Sequence, residues 1–358
     1  MRANTLPDPG EFSGRNETFV RFQPARNVDH FRKEVLPMRR LWISGTFFLF
    51  FLFSLSSAWA QKTVRLSIAT GSTGGIYNST GCSLADILSK YIPYLKATAW
   101  VTTASVDNCL FVGKQKMDLA FTMADTAWDA YQGKKPFKEK MALRTVAVLY
   151  PSTMHVVTGE GKGIENVTDL KGKKISTGNP ASATEIMALR VLGAYGLNPN
   201  RDITRERWSV SESANALKDG KIDAFFWVGG LPTAAIADLG TTPGVKMKLI
   251  GHAEAVPKMR ERYGPFYVTG VIPAKTYPGQ TTEIPALVVW NLLVCNETMK
   301  EDLAYDIVKT LFDHKSELAA ARGEANNLSL EHQTGGGSPI PFHPGAIRYF
   351  REKGLDIK

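Results

Sequence analysis

Glycines, hydroxyls and helix-start residues recur in this sequence at places suited to holding an anion without a metal. In Thr70-Gly71-Ser72-Thr73-Gly74-Gly75-Ile76-Tyr77, glycines let the backbone approach a bound group closely and present its N–H groups. A helix starting near Gly81 would add unsatisfied amides and the positive end of its dipole. The segment serves equally as a tight turn or a binding loop; it is neither a Walker loop nor a G-x-G-x-x-G fingerprint. Ser105-Val106-Asp107-Asn108 reads as a second helix start with Ser105 as N-cap. Asn108, one turn in, is expected to offer the ligand an amide that both donates and accepts. Asp125-Thr126 ends an apolar run, with Asp125 either an N-cap or the partner of a ligand ammonium group.

Farther along, Ser182-Ala183-Thr184-Glu185 is a capping box opening an apolar helix that stops at Gly196. Its geometry leaves the amides of Ala183 and Thr184 pointing out of the helix start, where a carboxylate would sit. In Phe225-Phe226-Trp227-Val228-Gly229-Gly230, one phenylalanine reads as core and Trp227, beside Gly229 and Gly230, as a ligand-facing wall. No catalytic set accompanies these loops: there is no G-x-S-x-G elbow, no Cys–His pairing and no matched pair of carboxylates. Binding alone accounts for them, so no enzyme is expected. The six histidines are scattered and no C-x-x-C occurs, so neither metal nor cofactor is expected. Cys82, Cys109 and Cys295 are an odd set and read best as small buried hydrophobes.

The elements that must position these loops are written twice. Ile68-Ala69-Thr70-Gly71-Ser72 resembles Ile175-Ser176-Thr177-Gly178-Asn179, and Lys116-Met117-Asp118-Leu119-Ala120-Phe121 resembles Lys221-Ile222-Asp223-Ala224-Phe225-Phe226. Short apolar strands alternating with helical patterns imply an α/β fold with largely parallel sheets, and two copies imply two lobes. Ligands of open α/β sheets bind outside the carboxyl ends of the strands, so opposed lobes would share one cleft. The β-prone runs Thr145 to Tyr150, Met154 to Thr158 and Ala286 to Cys295 fit hinge strands between lobes. The expected division is residues 61–153 with 285–358 as lobe I and 154–284 as lobe II.

Met38-Arg39-Arg40, an apolar run from Leu41 to Leu55 and Ser56-Ser57-Ala58-Trp59-Ala60 together form a secretory signal pattern, residues 38–60, with cleavage expected after Ala60. Residues 1–37 are polar with four prolines and no apolar period, and read as an untranslated or disordered extension with Met38 the true start. Residues 1–60 carry eight basic and five acidic side chains, so the net charge without them falls from +9 to +6. That mild, dispersed charge gives no nucleic-acid footprint.

Across nearly the whole exported chain the sequence resembles the TAXI family, extracytoplasmic receptors of tripartite ATP-independent periplasmic (TRAP) transporters. The resemblance is carried by Asp118-Leu119-Ala120-Phe121 through Tyr131-Gln132-Gly133, by Asp223 through Thr233, by Pro265-Phe266-Tyr267 with Ile272 through Gln280, and by Pro341-Phe342-His343-Pro344-Gly345. It implies a type II periplasmic-binding-protein fold: two lobes, two mainly parallel sheets, joined by hinge strands. It implies a periplasmic protein that captures a small anionic solute, a glutamate-like amino acid or a dicarboxylate. The implied partner is the TRAP membrane subunits, small and large, expected as a fused pair. Family binding positions map onto Gly74, Gly75, Tyr77, Asn108, Asp125, Ser182, Thr184 and the Trp227 region. Two departures stand out: Ala181 and Ala183 replace glycines common in the family, and Asn78 replaces a second tyrosine.

Overall fold

The computed structural model describes residues 63–73, 75–334 and 336–357. The signal pattern, the extension before it and Gly74 lie outside these residues.

The first part of the chain runs β1 (Val64–Ala69), α1 (Ile76–Tyr91), β2 (Leu95–Trp100), α2 (Ser105–Gly113), β3 (Leu119–Met123) and α3 (Ala124–Gln132). A long strand, β4 (Leu143–Gly159), follows. The pattern then repeats as β5 (Lys174–Ser176), α4 (Ala183–Ala194), β6 (Thr204–Glu206), α5 (Val210–Lys218), β7 (Ala224–Gly229) and α6 (Ala234–Thr241). Next come β8 (Met247–Leu249), α7 (Ala255–Tyr263), β9 (Tyr267–Ile272) and the second long strand, β10 (Ile284–Asn296). Helices α8 (Glu301–Asp313), α9 (Lys315–Ala321), α10 (Glu331–Thr334) and α11 (Pro344–Glu352) complete the chain. Among the described residues no helix is long and apolar enough to cross a membrane.

The sheet order is β2-β1-β3-β10-β4-β7-β5-β6, with β9 on β10 and β8 on β4. Two parallel triads, β2-β1-β3 and β6-β5-β7, are thus joined through two long antiparallel strands. The two expected sheets are hydrogen-bonded into one network, because β10 continues the first triad and β4 the second. Both long strands pass from one triad to the other. β4 pairs with β10 up to Thr153 and with β7 from Thr153 onward. At the passage Trp290 faces Pro151, and the register shifts between Trp290 and Leu292, a bulge that bends and twists the ladder.

The repeated sequence segments have a common structural cause. Asp118, just before β3, accepts the Ser67 amide of β1 at 2.8 Å; Asp223, just before β7, accepts the Lys174 amide of β5 at 2.9 Å. At the other end of each central strand, Thr70 and Thr177 donate both amide and hydroxyl to the last carbonyl of the neighbouring strand, Trp100 in β2 and Glu206 in β6. Each pair satisfies strand ends that would otherwise leave buried polar groups unpaired. The echo therefore marks one strand-clamping device used once in each triad.

Candidate functional site

Four helices begin just beyond the carboxyl ends of β1, β2, β5 and β6 and converge on one cavity. The starts of α1 and α2 come from the first triad, and those of α4 and α5 from the second. The cavity and its open mouth together hold about 600 Å³ not filled by atoms. Its wall includes Gly75 and Tyr77 at the start of α1, Ser105 at α2, Ser182, Ala183 and Thr184 at α4, and Ser209 with Val210 at α5. Trp208, Trp227 and Gly229 complete the second side. Among the described residues no lysine, arginine, histidine, aspartate or glutamate lines it. Each helix N-terminus carries a partial positive charge of about half an elementary charge, and Asp107, Glu185 and Glu212 stand in the first turns of three of the four helices. Among the described residues the amides of Ala183 and Thr184 have no hydrogen-bond partner in the protein.

The two rims touch. The Val106 amide at the start of α2 donates to the Ala181 carbonyl of the opposite rim at 3.2 Å. Ala181 has φ +60°, a left-handed conformation that glycine adopts without strain. A Cβ on Gly230 would lie 2.4 Å from Ile76 of the opposite side, and one on Gly229 would lie 2.6 Å from Nε1 of Trp227. At Gly229 the clash would fall on the rigid indole ring, whereas at Gly230 it would fall on the flexible end of the Ile76 side chain. The Trp227 Nε1 donates to Thr233 at 2.9 Å, which fixes the ring against the wall.

Beneath the cavity the passage strands supply polar groups that local sequence patterns did not reveal. Asn291, at the β10 bulge, accepts the Tyr77 hydroxyl at 2.5 Å and donates to the Tyr150 carbonyl at 2.8 Å and to Ser152 Oγ at 2.7 Å. Tyr77, Tyr150 and Ser152 all line the cavity, so Asn291 ties its floor to the strands that link the triads. Burial raises the pKa values of Tyr77 and Tyr150 far above that of free tyrosine, and both stay neutral. The Tyr150 hydroxyl is buried without a hydrogen-bond partner among the described residues. An orphaned hydroxyl costs about 1–3 kcal/mol. Tyr150→Phe is therefore expected to leave the urea midpoint unchanged or higher. Urea unfolding of the two proteins side by side checks that outcome.

Several sequence expectations move. Helix α1 starts at Ile76 and not near Gly81, with Gly75 as N-cap. Ser105 is not an N-cap: Ala104 holds that position at φ +85°, and Ser105 Oγ accepts the Met123 amide at 3.3 Å. Ser182 caps Glu185 as a capping box requires, but the reciprocal half is missing because Arg207 and Arg205 hold the Glu185 carboxylate. The complete box at this rim is Ser209–Glu212, readable in sequence as Ser-x-x-Glu.

Of the predicted ligand residues, Gly75, Tyr77, Ser182, Ala183, Thr184, Trp227 and Gly229 surround the cavity; Thr73, Asn108, Asp125 and Thr126 do not. Thr73 is exposed on the loop. Asn108 is fully buried, donating to the Thr70 and Phe121 carbonyls at 2.7 Å each and accepting from Thr102 at 2.7 Å. Its amide is spent on clamping the ends of β1 and β3. Asn108→Ala is expected to lower stability by about 2–4 kcal/mol, since two buried carbonyls lose their donor, as chemical denaturation would read. Asp125, also fully buried, accepts the Thr126 amide at 2.7 Å and the Tyr267 hydroxyl at 2.7 Å, and pairs with Arg190 at 3.4 Å. It sits inside α3 after N-cap Met123 and is neither a cap nor a free partner for an ammonium group. Thr126 is buried beside it. Cys109 and Cys295 are buried, Cys82 is exposed, and all three thiols are free.

The chain is similar to solved structures of transport-related binding proteins. One is the periplasmic aliphatic sulphonate binding protein of Escherichia coli, at 15% identity over 80% of this chain and 82% of that one, with TM-score 0.42. A second is a binding protein component of an ABC phosphonate transporter from Pseudomonas aeruginosa, at 13% identity over 75% and 80%, with TM-score 0.48. A third, a putative L-cystine ABC transporter from Listeria monocytogenes, shares 15% identity over 74% and 98%, with TM-score 0.46. The sequence pattern of the NMT1-like family matches residues 68–354, from β1 to the residue after the final helical turn. That span takes in both triads, the two passage strands and every wall of the cavity, and the chain belongs to the NMT1-like family.

Proposed function

We propose that this protein is an extracytoplasmic solute receptor, not an enzyme: its two halves close on a small organic anion and present it to a membrane transporter. One observation carries the reading. Four helix N-termini from two opposed rims meet at one cavity whose wall, among the described residues, has no charged side chain. Such a site neutralises an anion with backbone dipoles and hydroxyls and needs no counter-ion of its own. Because the walls come from both triads, a ligand makes its full set of contacts only when the rims meet, and that differential affinity drives closure.

The lobes in this mechanism are residues 61–153 with 285–358 and residues 154–284. Pro151 and the β10 bulge mark the passage between them. The signal pattern at residues 38–60 supports export to the periplasm, with cleavage after Ala60. The resemblance to TAXI receptors makes TRAP membrane subunits the proposed partner. Mass spectrometry of the protein purified from the periplasm, before and after unfolding, tests the central claim. An organic anion released on unfolding, which raises the melting temperature when added back, is the expected result; a chain stabilised by no organic acid sinks it. A neighbouring gene for TRAP membrane subunits is expected, and one for an ABC permease would reassign the partner.

A further inference from the structure

Basic side chains gather at the end of the first triad remote from the cavity. Lys114 and Lys116 lie in the turn between α2 and β3. Lys134, Lys135, Lys138 and Lys140 lie in the loop between α3 and β4, and all six lysines are exposed. The two segments are neighbours: Lys114 meets Glu139 at 3.5 Å, and a Cβ on Gly113 would lie 2.7 Å from Met141 Sδ. The carboxylates beside them are engaged. Glu139 pairs with Lys114, and Glu297 pairs with Arg144 at 2.7 Å. Asp118 accepts the amide and hydroxyl of Ser67, and Asp129 is buried against Arg190. Lys116, Lys134, Lys135, Lys138 and Lys140 make no ion pair among the described residues.

The matching end of the second triad is built differently. There Lys162 pairs with Asp223, Lys174 with Glu206, Lys221 with Asp219 and Lys248 with Glu165. Lys221 holds the place in the repeat that Lys116 holds in the first triad, yet only Lys221 has a partner. The C-termini of α2 and α3 each favour a nearby cation, which accounts for two of the unpaired lysines and not for five. The lysines are spread over two loops and converge on no point, so they form no pocket for a small anion. Protein interfaces favour aromatic side chains and arginine and are poor in lysine. On this face Arg144 is tied to Glu297 and Phe137 is buried. Flexible ammonium groups ranged over a face suit a surface whose own charge is spread out, the phosphate layer of an anionic bilayer.

We infer that this end of the first triad rests on an anionic phospholipid surface. Charge alone holds the protein there, while the cavity, at the opposite ends of the strands, stays open to solute. The inference goes beyond the receptor reading, which survives its failure.

Flotation of the exported protein with lipid vesicles tests it, using phosphatidylcholine alone and phosphatidylcholine with about one-third phosphatidylglycerol. At low salt the protein is expected to float with the anionic vesicles and not with the neutral ones. Raising the salt from about 0.02 M to about 0.2 M should release it, because screening cuts the reach of each charge to under about 10 Å. Lys134→Gln, Lys135→Gln, Lys138→Gln and Lys140→Gln combined should weaken partitioning at least about a hundredfold, at roughly fivefold per lysine. Lys162→Gln, Lys174→Gln, Lys221→Gln and Lys248→Gln combined remove the same charge from the second triad and should cost less than about tenfold. A loss from the second variant as large as that from the first would mean that net charge alone attracts the protein, and overturns the inference. A parent protein that ignores anionic vesicles, or binds neutral ones as well, overturns it too.

Discussion

Arg190→Ala is expected to destabilise the protein by about 3–5 kcal/mol, the cost of leaving buried charges uncompensated. The Arg190 guanidinium on α4 meets Asp125 and Asp129 of α3, donates to the Tyr267 hydroxyl at 2.6 Å, and lies over the Tyr263 ring at 4.3 Å. Asp125 is fully buried and Asp129 nearly so. Removing the one cation strands two carboxylates in an apolar interior, where they must either stay charged at high cost or take up protons. Because α3 follows the first triad and α4 belongs to the second, the network also crosses between the halves that the receptor mechanism moves. Urea unfolding measures the loss. The triple replacement Arg190→Met, Asp125→Asn, Asp129→Asn should recover most of it, since removing a whole buried ionic group costs far less than breaking one. A loss below about 1 kcal/mol for Arg190→Ala, the value of an exposed pair, would show that water reaches the network.

The second large effect is on binding. Ser182→Asp is expected to abolish anion binding, at least about a hundredfold, with a stability loss of about 1–3 kcal/mol because the carboxylate cannot replace the hydroxyl that donates to the Asn179 carbonyl at 2.7 Å. Serine and aspartate are near-equal N-caps, so the Glu185 amide keeps an acceptor and α4 keeps its start. The new carboxylate, however, stands in the cavity wall where the solute's own charge must sit. Two like charges about 4 Å apart at an effective dielectric near 20 repel by about 4 kcal/mol, ample for that loss. Ser182→Asn is the control, for it caps equally well without charge and should bind within about tenfold of the parent. Equal losses from both variants would mean that shape, and not charge, governs the site.

Much of this architecture was legible in local sequence. The repeated β-α-β-α-β pattern, the strand-end threonines Thr70 and Thr177 and the paired aspartates Asp118 and Asp223 all announced two equivalent halves. The loops leading into α1 and α4 were readable because capping and glycine chemistry act within four residues of chain. The family resemblance added the expectation of a receptor but transferred two residues, Asn108 and Asp125, that the folded chain uses elsewhere.

Those two show where local reading stops. An asparagine at a helix start has the same sequence signature whether its amide faces a ligand or clamps two strands, and the Asn108 partner Phe121 lies 13 residues away. Asp125 is claimed by Tyr267, 142 residues on, and by Arg190, 65 residues on. Tyr77 finds Asn291 across 214 residues. Composition and short-range periodicity dictated the elements, their order and the helix starts, because backbone hydrogen bonding and capping are settled among near neighbours. Only packing decided which polar side chains were consumed in the interior and which were left bare at the cavity, because a buried polar group must pair with whatever the tertiary fold brings within hydrogen-bond reach.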